Sequence, residues 1–428
     1  MTRRLLAVAL TLGLACGGAA AAAPAQTNGA LPHGGAYVLR PDAGASTASL
    51  ALWFRAPSDG YDGAAPGIAQ LAAASCAAVR LAGGKSLADQ VRALGGRLVL
   101  GGEPDMVSVD VIVPAGSARR ALAALTSAYF ASTPDATAYA LALRDSAVRG
   151  VERRYSPDLA MHDVILAQML ASGPGHAPVL PGTADAYTAI PLASVTAFAK
   201  RAFASPNAFL ALAGAVDASV LDAVTDGDPN APATAAPIDS QLGPAGTTAN
   251  VGAAVSGLVY GYAGPPIRDE RASTALDFIS DYLFDPDRGV VSLRLRDTAA
   301  DVTGHFLTYH DPGLTVVSIS GGDLELAAGQ VRAAFAAMAT PLPAGAFAAA
   351  RRAFAYRSAH GWSSPASLAD DLAWYAIQGD AAYAPGDASG TYANSIAALD
   401  PAYVASVARR YLQTPTVVRL TAEKASPS

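Results

Sequence analysis

A chain that repeats itself at a fixed offset is constrained to fold as two copies of one unit, and this sequence does so. Leu50-Ala-Leu-Trp-Phe-Arg-Ala-Pro57 lies against Leu258-Val-Tyr-Gly-Tyr-Ala-Gly-Pro265, an offset of 208 (258 − 50). Val195-Thr-Ala-Phe-Ala-Lys-Arg-Ala-Phe-Ala-Ser-Pro206 lies against Val404-Ala-Ser-Val-Ala-Arg-Arg-Tyr-Leu-Gln-Thr-Pro415, an offset of 209 (404 − 195). Both matches are ungapped. Coincidence in an Ala-rich chain is the competing reading. It accounts poorly for a basic pair, an aromatic or Leu, and Ser/Thr-Pro recurring at fixed places.

Local patterns fill in the two units. Residues 27–45 are rich in Gly, Pro and small polar residues and read as an arm. Thr47 to Arg55 reads as a strand. Pro66 opens a helix to about Leu81, and Ser86 to Leu94 is a second short helix. Gly95-Gly96 breaks to strands at Arg97–Leu100 and Met106–Val113, the latter alternating as a half-buried strand should. Helices are expected over 116–130, 134–154, 157–171 and 192–204, then a strand from Asn207 to Val216. Residues 225–249 lose all periodicity and read as a linker. The order then returns. A strand is expected over Val251–Tyr262, helices over 267–283 and 288–296, and strands over 300–310 and 313–320. Helices follow over 323–338, 342–358, 364–377 and 400–412, with a closing strand over 415–421. The expected fold class is α+β: two homologous lobes, 36–224 and 250–424, each a sandwich of a mostly antiparallel sheet packed with helices.

Composition narrows the function. The 428 residues are 52% hydrophobic but only 15% charged, with a net charge of −6. Large cores are affordable, and no basic patch exists to follow a phosphate backbone, so nucleic acid is an unsuitable partner. The start, Met1-Thr-Arg-Arg-Leu-Leu-Ala-Val-Ala-Leu, is a short positive region followed by an apolar stretch and small residues to Ala25. Residues 1–25 therefore read as a signal peptide cut after Ala23-Pro24-Ala25, and the expected location is the periplasm. Arg3-Arg4 is a partial twin-Arg signal. Cys16 is an alternative lipid-anchor site, although Gly13 stands where such a site usually has Leu. The apolar run is short for a membrane span, and no later stretch has the length for one. Removing the leader leaves only Cys76, in an apolar helical run, where a small buried core residue is a better reading than a nucleophile.

Several segments together resemble one family. Trp53-Phe-Arg-Ala-Pro-Ser-Asp-Gly60 followed by Pro66-Gly-Ile-Ala-Gln-Leu-Ala-Ala-Ala-Ser75 resembles the opening of pitrilysin/insulinase-like (inverzincin) metallopeptidases. Leu94-Gly-Gly96 through Val113-Pro114 is similar to their Gly-Gly turn, edge strand and following strand. Gly182-Thr183, then Ala193 to Asp217, resembles their Gly-Thr, helix, Pro-Asn strand and Gly-x-Val-Asp close. In the second half, Leu293-Arg-Leu-Arg-Asp297 resembles their Leu-Arg-Glu segment, and Ser364 to Gly379 a late helix. The resemblance spans about residues 36–421. Each motif alone is soft; their order, spacing and doubling are specific.

What the resemblance implies about chemistry is chiefly a loss. Active members carry His-x-x-Glu-His on the first helix, two His holding zinc and the Glu acting as base on the bound water. Aligned on Gly67-Ile-Ala, the first His position is Gln70, the Glu position Ala73 and the second His position Ala74. Glu152 stands in the neighbourhood of the further Glu ligand, but beside Arg153 and Arg154 it reads better as a solvated helix charge. Of the six His, His33, His162, His176, His305, His310 and His360, no two stand three or four apart on a helix. His305 and His310 are expected in one strand with opposite facing. Active members also carry an Arg and a Tyr, seven apart, for the oxyanion. Arg296 matches the Arg and Thr303 stands at the Tyr position, so a structural ion pair with a neighbouring Asp suits Arg296 better. Asp269-Glu270 and Asp370-Asp371 are neighbours on helices, share no face and read as solvated charges.

The resemblance therefore implies a chain with no zinc and no catalytic residue of its own. Zinc is expected on a homologous partner chain, forming a heterodimer that encloses a peptide substrate, as in mitochondrial processing peptidase. Strand addition is the expected route for the peptide, with Arg97, Leu98, Val99 and Leu100 as the candidate edge. The alternative is a scaffold or peptide-binding protein of the cell envelope, as the complex III core proteins illustrate.

Overall fold

The computed structural model describes residues 26–55, 65–170, 181–231, 242 and 245–422. The signal peptide expected over residues 1–25, Cys16 within it, and His176 lie outside the described residues, as do 423–428.

The first lobe begins with strands β1 (Thr27–Ala30), β2 (Ala36–Pro41) and β3 (Thr47–Arg55). Helices α1 (Ile68–Ala78) and α2 (Leu87–Ala93) lead to the hairpin β4 (Arg97–Glu103) and β5 (Met106–Pro114). Then come α3 (Ala118–Phe130), α4 (Ala136–Tyr155), α5 (Pro157–Met169), α6 (Ala184–Ala189), α7 (Leu192–Ala202) and β6 (Ala208–Gly214). The second lobe opens with β7 (Thr248–Ala253), β8 (Gly257–Ala263), α8 (Glu270–Phe284) and α9 (Val290–Leu295). Its hairpin is β9 (Ala300–Leu307) and β10 (Leu314–Gly321), followed by α10 (Leu324–Met338), α11 (Ala344–Gly361) and α12 (Pro365–Ile377). It closes with α13 (Thr391–Ala397), α14 (Pro401–Tyr411) and β11 (Thr416–Ala422).

Local chemistry explains the starts. Pro157, Pro365 and Pro401 each occupy the first turn of a helix, where a missing N–H costs nothing. Asp135, Asp269, Asp323 and Asp400 cap their helices by accepting main-chain N–H groups.

The two sheets share one order over five strands, and the first adds β1 at its edge. The first runs β1-β2-β6-β3-β5-β4 and the second β7-β11-β8-β10-β9. Only β2–β6 and β7–β11 are parallel; the remaining pairs are antiparallel. The offset seen in the sequence persists: α5 and α12 begin 208 residues apart (365 − 157), and α7 and α14 begin 209 apart (401 − 192).

The lobes exchange helices. α5 leaves the first lobe to cover β8, β10 and β11 of the second, and α12 reciprocates on β3, β5 and β6 of the first. Met161, Ile165 and Met169 of α5 build a separate apolar cluster with Val259, Val316 and Val418. Gly261 on β8 admits it: a Cβ there would stand 2.1 Å from the Met169 sulfur. Each sheet thus buries one face on its own helices and the other on its neighbour's helix.

Four expectations change. The arm at 27–45 contains β1 and β2, too short and Gly-flanked to show alternation, yet paired in the first sheet. The single strand expected over Val251–Tyr262 is two, β7 and β8, which flank β11 instead of continuing one another. The strand expected over 300–310 ends at Leu307, so His310 lies beyond it. Helices α6 and α13, of six and seven residues, were unread because so few residues show no period. Among the described residues no helix is long and apolar enough to cross a membrane.

Candidate functional site

Helix α1 carries the three positions that the resemblance singles out. It starts from Gly67, whose φ of 93° lies in the left-handed region. A Cβ at Gly67 would stand 2.4 Å from a Tyr187 ring carbon and 2.8 Å from Gly182 Cα, so glycine alone fits. The opposite helix, α4, buries Ala138, Ala142, Ser146 and Gly150, a stripe of small residues that lets α1 approach closely. Between α1, α2, α4 and β4 lies a groove of about 420 Å³, lined among others by Ala74, Arg92, Leu98, Leu100, Leu141 and Arg149.

The groove holds little that can do chemistry. Ala73 is fully buried, and its carbonyl accepts the Tyr129 hydroxyl at 2.9 Å. Ala74 is buried at the groove wall. Gln70 is half-buried with its amide nitrogen against Gly102 of β4, and its amide oxygen is buried without a hydrogen-bond partner. Glu152 points to solvent on α4, while its neighbour Arg153 donates from Nε to Asp163 at 2.9 Å. Two methyl groups and one amide are a donor set that does not fit zinc, which takes thiolate, imidazole or carboxylate. Among the described residues no three His, Cys, Asp or Glu side chains converge as metal ligands. Cys76 is buried on the same helix, and burial pushes its thiol up to about 12, so it stays protonated and unreactive.

The strand beside the groove is a true sheet edge. Among the described residues β4 ends the strand order and pairs only with β5. Along it Leu98 and Leu100 are half-buried and face the groove, whereas Arg97 and Val99 are exposed and line the opposite side with Asp110 and Ser367. In the second lobe, Arg296 follows α9 and is exposed, donating to the Asp287 carbonyl at 3.2 Å. The expected ion pair is thus replaced by a main-chain hydrogen bond. Thr303 sits in β9, opposite Ser318 of β10.

What the sequence did not disclose is the seam between the lobes. The Tyr309 hydroxyl donates to Glu103 at 2.7 Å, from the end of β9 to the end of β4. Burial raises the Glu103 carboxyl, and nearby His162 and Arg153 oppose that rise. Trp374 of α12 meets Trp53 edge-on at 6.2 Å, packs on Tyr309 at 5.7 Å and donates to the Thr308 carbonyl at 2.8 Å. Trp53 donates to Asp110 at 2.8 Å, and Arg55 to the Ile377 carbonyl at 3.1 Å. Burial pushes Asp110 up to about 7 against that Trp53 bond. The pair Asp370-Asp371 divides: Asp370 is exposed as expected, but Asp371 is half-buried, accepts the Gly386 N–H at 2.7 Å and is pushed up to about 7 by burial. Aromatic residues at 53, 309 and 374 were the available signal, since each lies far from the others in sequence and only the helix exchange joins them.

No protein-family model matches the chain, and no curated protein matches it. Solved structures do. A protease from Helicobacter pylori superposes with a TM-score of 0.80 at 15% identity, over 93% of this chain and 99% of that one. A peptidase M16 inactive domain from Pseudomonas fluorescens gives a TM-score of 0.73 at 18% identity, over 94% and 99%. A chain of Complex III2 from Candida albicans gives 0.73 at 11% identity, over 91% and 94%. This chain shares its two-lobed fold with these structures over more than nine-tenths of its length.

Proposed function

We propose that this chain is a non-catalytic, exported member of the M16 peptidase fold, which walls a peptide chamber completed by a zinc-bearing sister chain. One observation carries the reading. The sequence resemblance puts Ala73 and Ala74 at the base and ligand positions of active members, and Ala73 is sealed into the core. A methyl group neither coordinates a cation nor takes a proton from water. The open edge of β4 beside the groove supports a role in holding extended peptide by strand addition, with Leu98 and Leu100 facing inward and Arg97 and Val99 outward. The likeness to an inactive peptidase M16 domain supports retention of the fold without its reaction.

The test pairs this chain with an exported chain of similar length that carries His-x-x-Glu-His in the same genome. Peptide cleavage is measured for each alone and for the mixture. The proposal expects none from this chain, and more from the mixture than from the sister chain alone. An unchanged rate, with no complex formed, would favour the scaffold reading. Export is tested separately by locating the processed chain after cell fractionation.

A further inference from the structure

Helix α4 is apolar on two faces, and only one of them is covered. Ala138, Ala142, Ser146 and Gly150 are buried, on the side facing α1 and the start of α6, where Gly150 meets Gly182 and Ala184. The opposite face carries Leu141, 53% exposed, Val148, 53%, Val151, 46%, and Tyr155, 64%. At about 100° per residue these lie within about 60° of the direction of Val148, as one stripe along a helix about 30 Å long. Four of the large apolar side chains that the described residues expose thus share one helix face. A water-facing helix has no reason to keep them.

The fold does not demand the stripe. In the second lobe α11 is the counterpart of α4, 208 residues on (344 − 136). The same places there hold Ala349, Tyr356, Ala359 and Ser363, and Tyr356 is stacked on His360 with ring centres 4.0 Å apart. The counterpart helix α11 lacks the stripe.

We infer that α4 is a self-association surface that pairs antiparallel with α4 of a second copy, about a two-fold axis through Val148. The charges on the stripe select this partner and this direction. Arg144 and Glu152, both exposed, flank Val148 at equal distance, four residues before and four after (148 − 144, 152 − 148). Leu141 and Tyr155 flank it at seven (148 − 141, 155 − 148). Antiparallel pairing sets Val148 on Val148 of the copy, Leu141 in one layer with Tyr155, and Arg144 in one layer with Glu152, each twice by symmetry. Parallel pairing would instead oppose Arg144 to Arg144 and Glu152 to Glu152. One helix pair buries less than the ~800 Å² per partner of a standard interface, so the dimer is expected at about micromolar concentrations.

The experiment is sedimentation of the full chain across a concentration series, with disulfide trapping. The mass is expected to double with concentration. Arg144→Glu should return it to monomer, and Arg144→Glu combined with Glu152→Arg should restore the dimer, which a merely sticky surface would not do. Val148→Cys should crosslink to itself under oxidation, whereas Leu141→Cys and the unaltered chain should not. A monomer at every concentration, or a dimer indifferent to Arg144→Glu, would overturn the inference. So would a sister chain that alone protects Val148→Cys from modification.

Discussion

Tyr309 and Glu103 are joined by a 2.7 Å hydrogen bond that crosses from the second lobe to the first. The bond closes the two hairpins on one another at the seam where α5 and α12 change lobes. Removing the hydroxyl by Tyr309→Phe strands a carboxyl that burial already disfavours as an anion. The expected loss of stability is about 1–3 kcal/mol, read from the urea midpoint. Pairing Tyr309→Phe with Glu103→Leu should recover part of that loss, because no buried acceptor is then left unpaired. An unchanged midpoint in Tyr309→Phe would mean that the seam does not depend on this bond.

Stability should fall as pH rises from about 4 to about 7. Burial pushes Asp277 up to about 7 despite the bond from Tyr392, and Asp110 and Asp371 likewise to about 7. A raised carboxyl keeps its proton in the native state after the unfolded chain, near its ordinary value of ~3.9, has lost it. The native state then binds more protons, so stability is fullest below about 4 and declines until these groups ionise. Asp277→Asn retains an acceptor for Tyr392 and should flatten the slope between those values. Urea unfolding at a series of pH values measures it. A slope of opposite sign would contradict the placement of these carboxyls.

Helix α1 should not tolerate the carboxylate that the sequence resemblance sets at position 73. Ala73 has no exposed surface, and its carbonyl is held by Tyr129. Ala73→Glu adds four heavy atoms and a charge to a filled core. Overpacking alone is expected to lower stability by about 1–3 kcal/mol. A midpoint equal to that of the unaltered chain would show that a cavity is still kept there.

Gly67→Ala should weaken the same helix at its start. The φ of 93° disfavours any side chain, and the added methyl would meet Tyr187 and Gly182 at less than contact distance. About 1–3 kcal/mol of destabilisation is expected in thermal or urea unfolding. A neutral result would place the start of α1 elsewhere.

Much of the fold was legible because its signals are local. Leu50 to Arg55 and Leu258 to Ala263 lie in central strands whose apolar runs survive without their neighbours, and Gly95-Gly96 marks the turn into the edge strand. Pro66-Gly-Ile-Ala marks the start of the helix that carries Gln70, Ala73 and Ala74. β2 was not, since six residues beside Gly-rich turns gain their order only by pairing with β6. Nor was the fate of Asp371, which looks like a surface charge until Gly386 and the exchanged helix α12 enclose it. Contacts such as Tyr309 to Glu103, 206 residues apart, exist only once both lobes have formed.

The zinc content of the isolated, purified chain, measured after incubation with zinc and removal of the unbound metal, tests the account's central claim most directly. Well below one zinc per chain, with no chelator-sensitive cleavage of an unstructured peptide, is the predicted result. One tightly held zinc per chain, released by a chelator together with loss of cleavage, would contradict it.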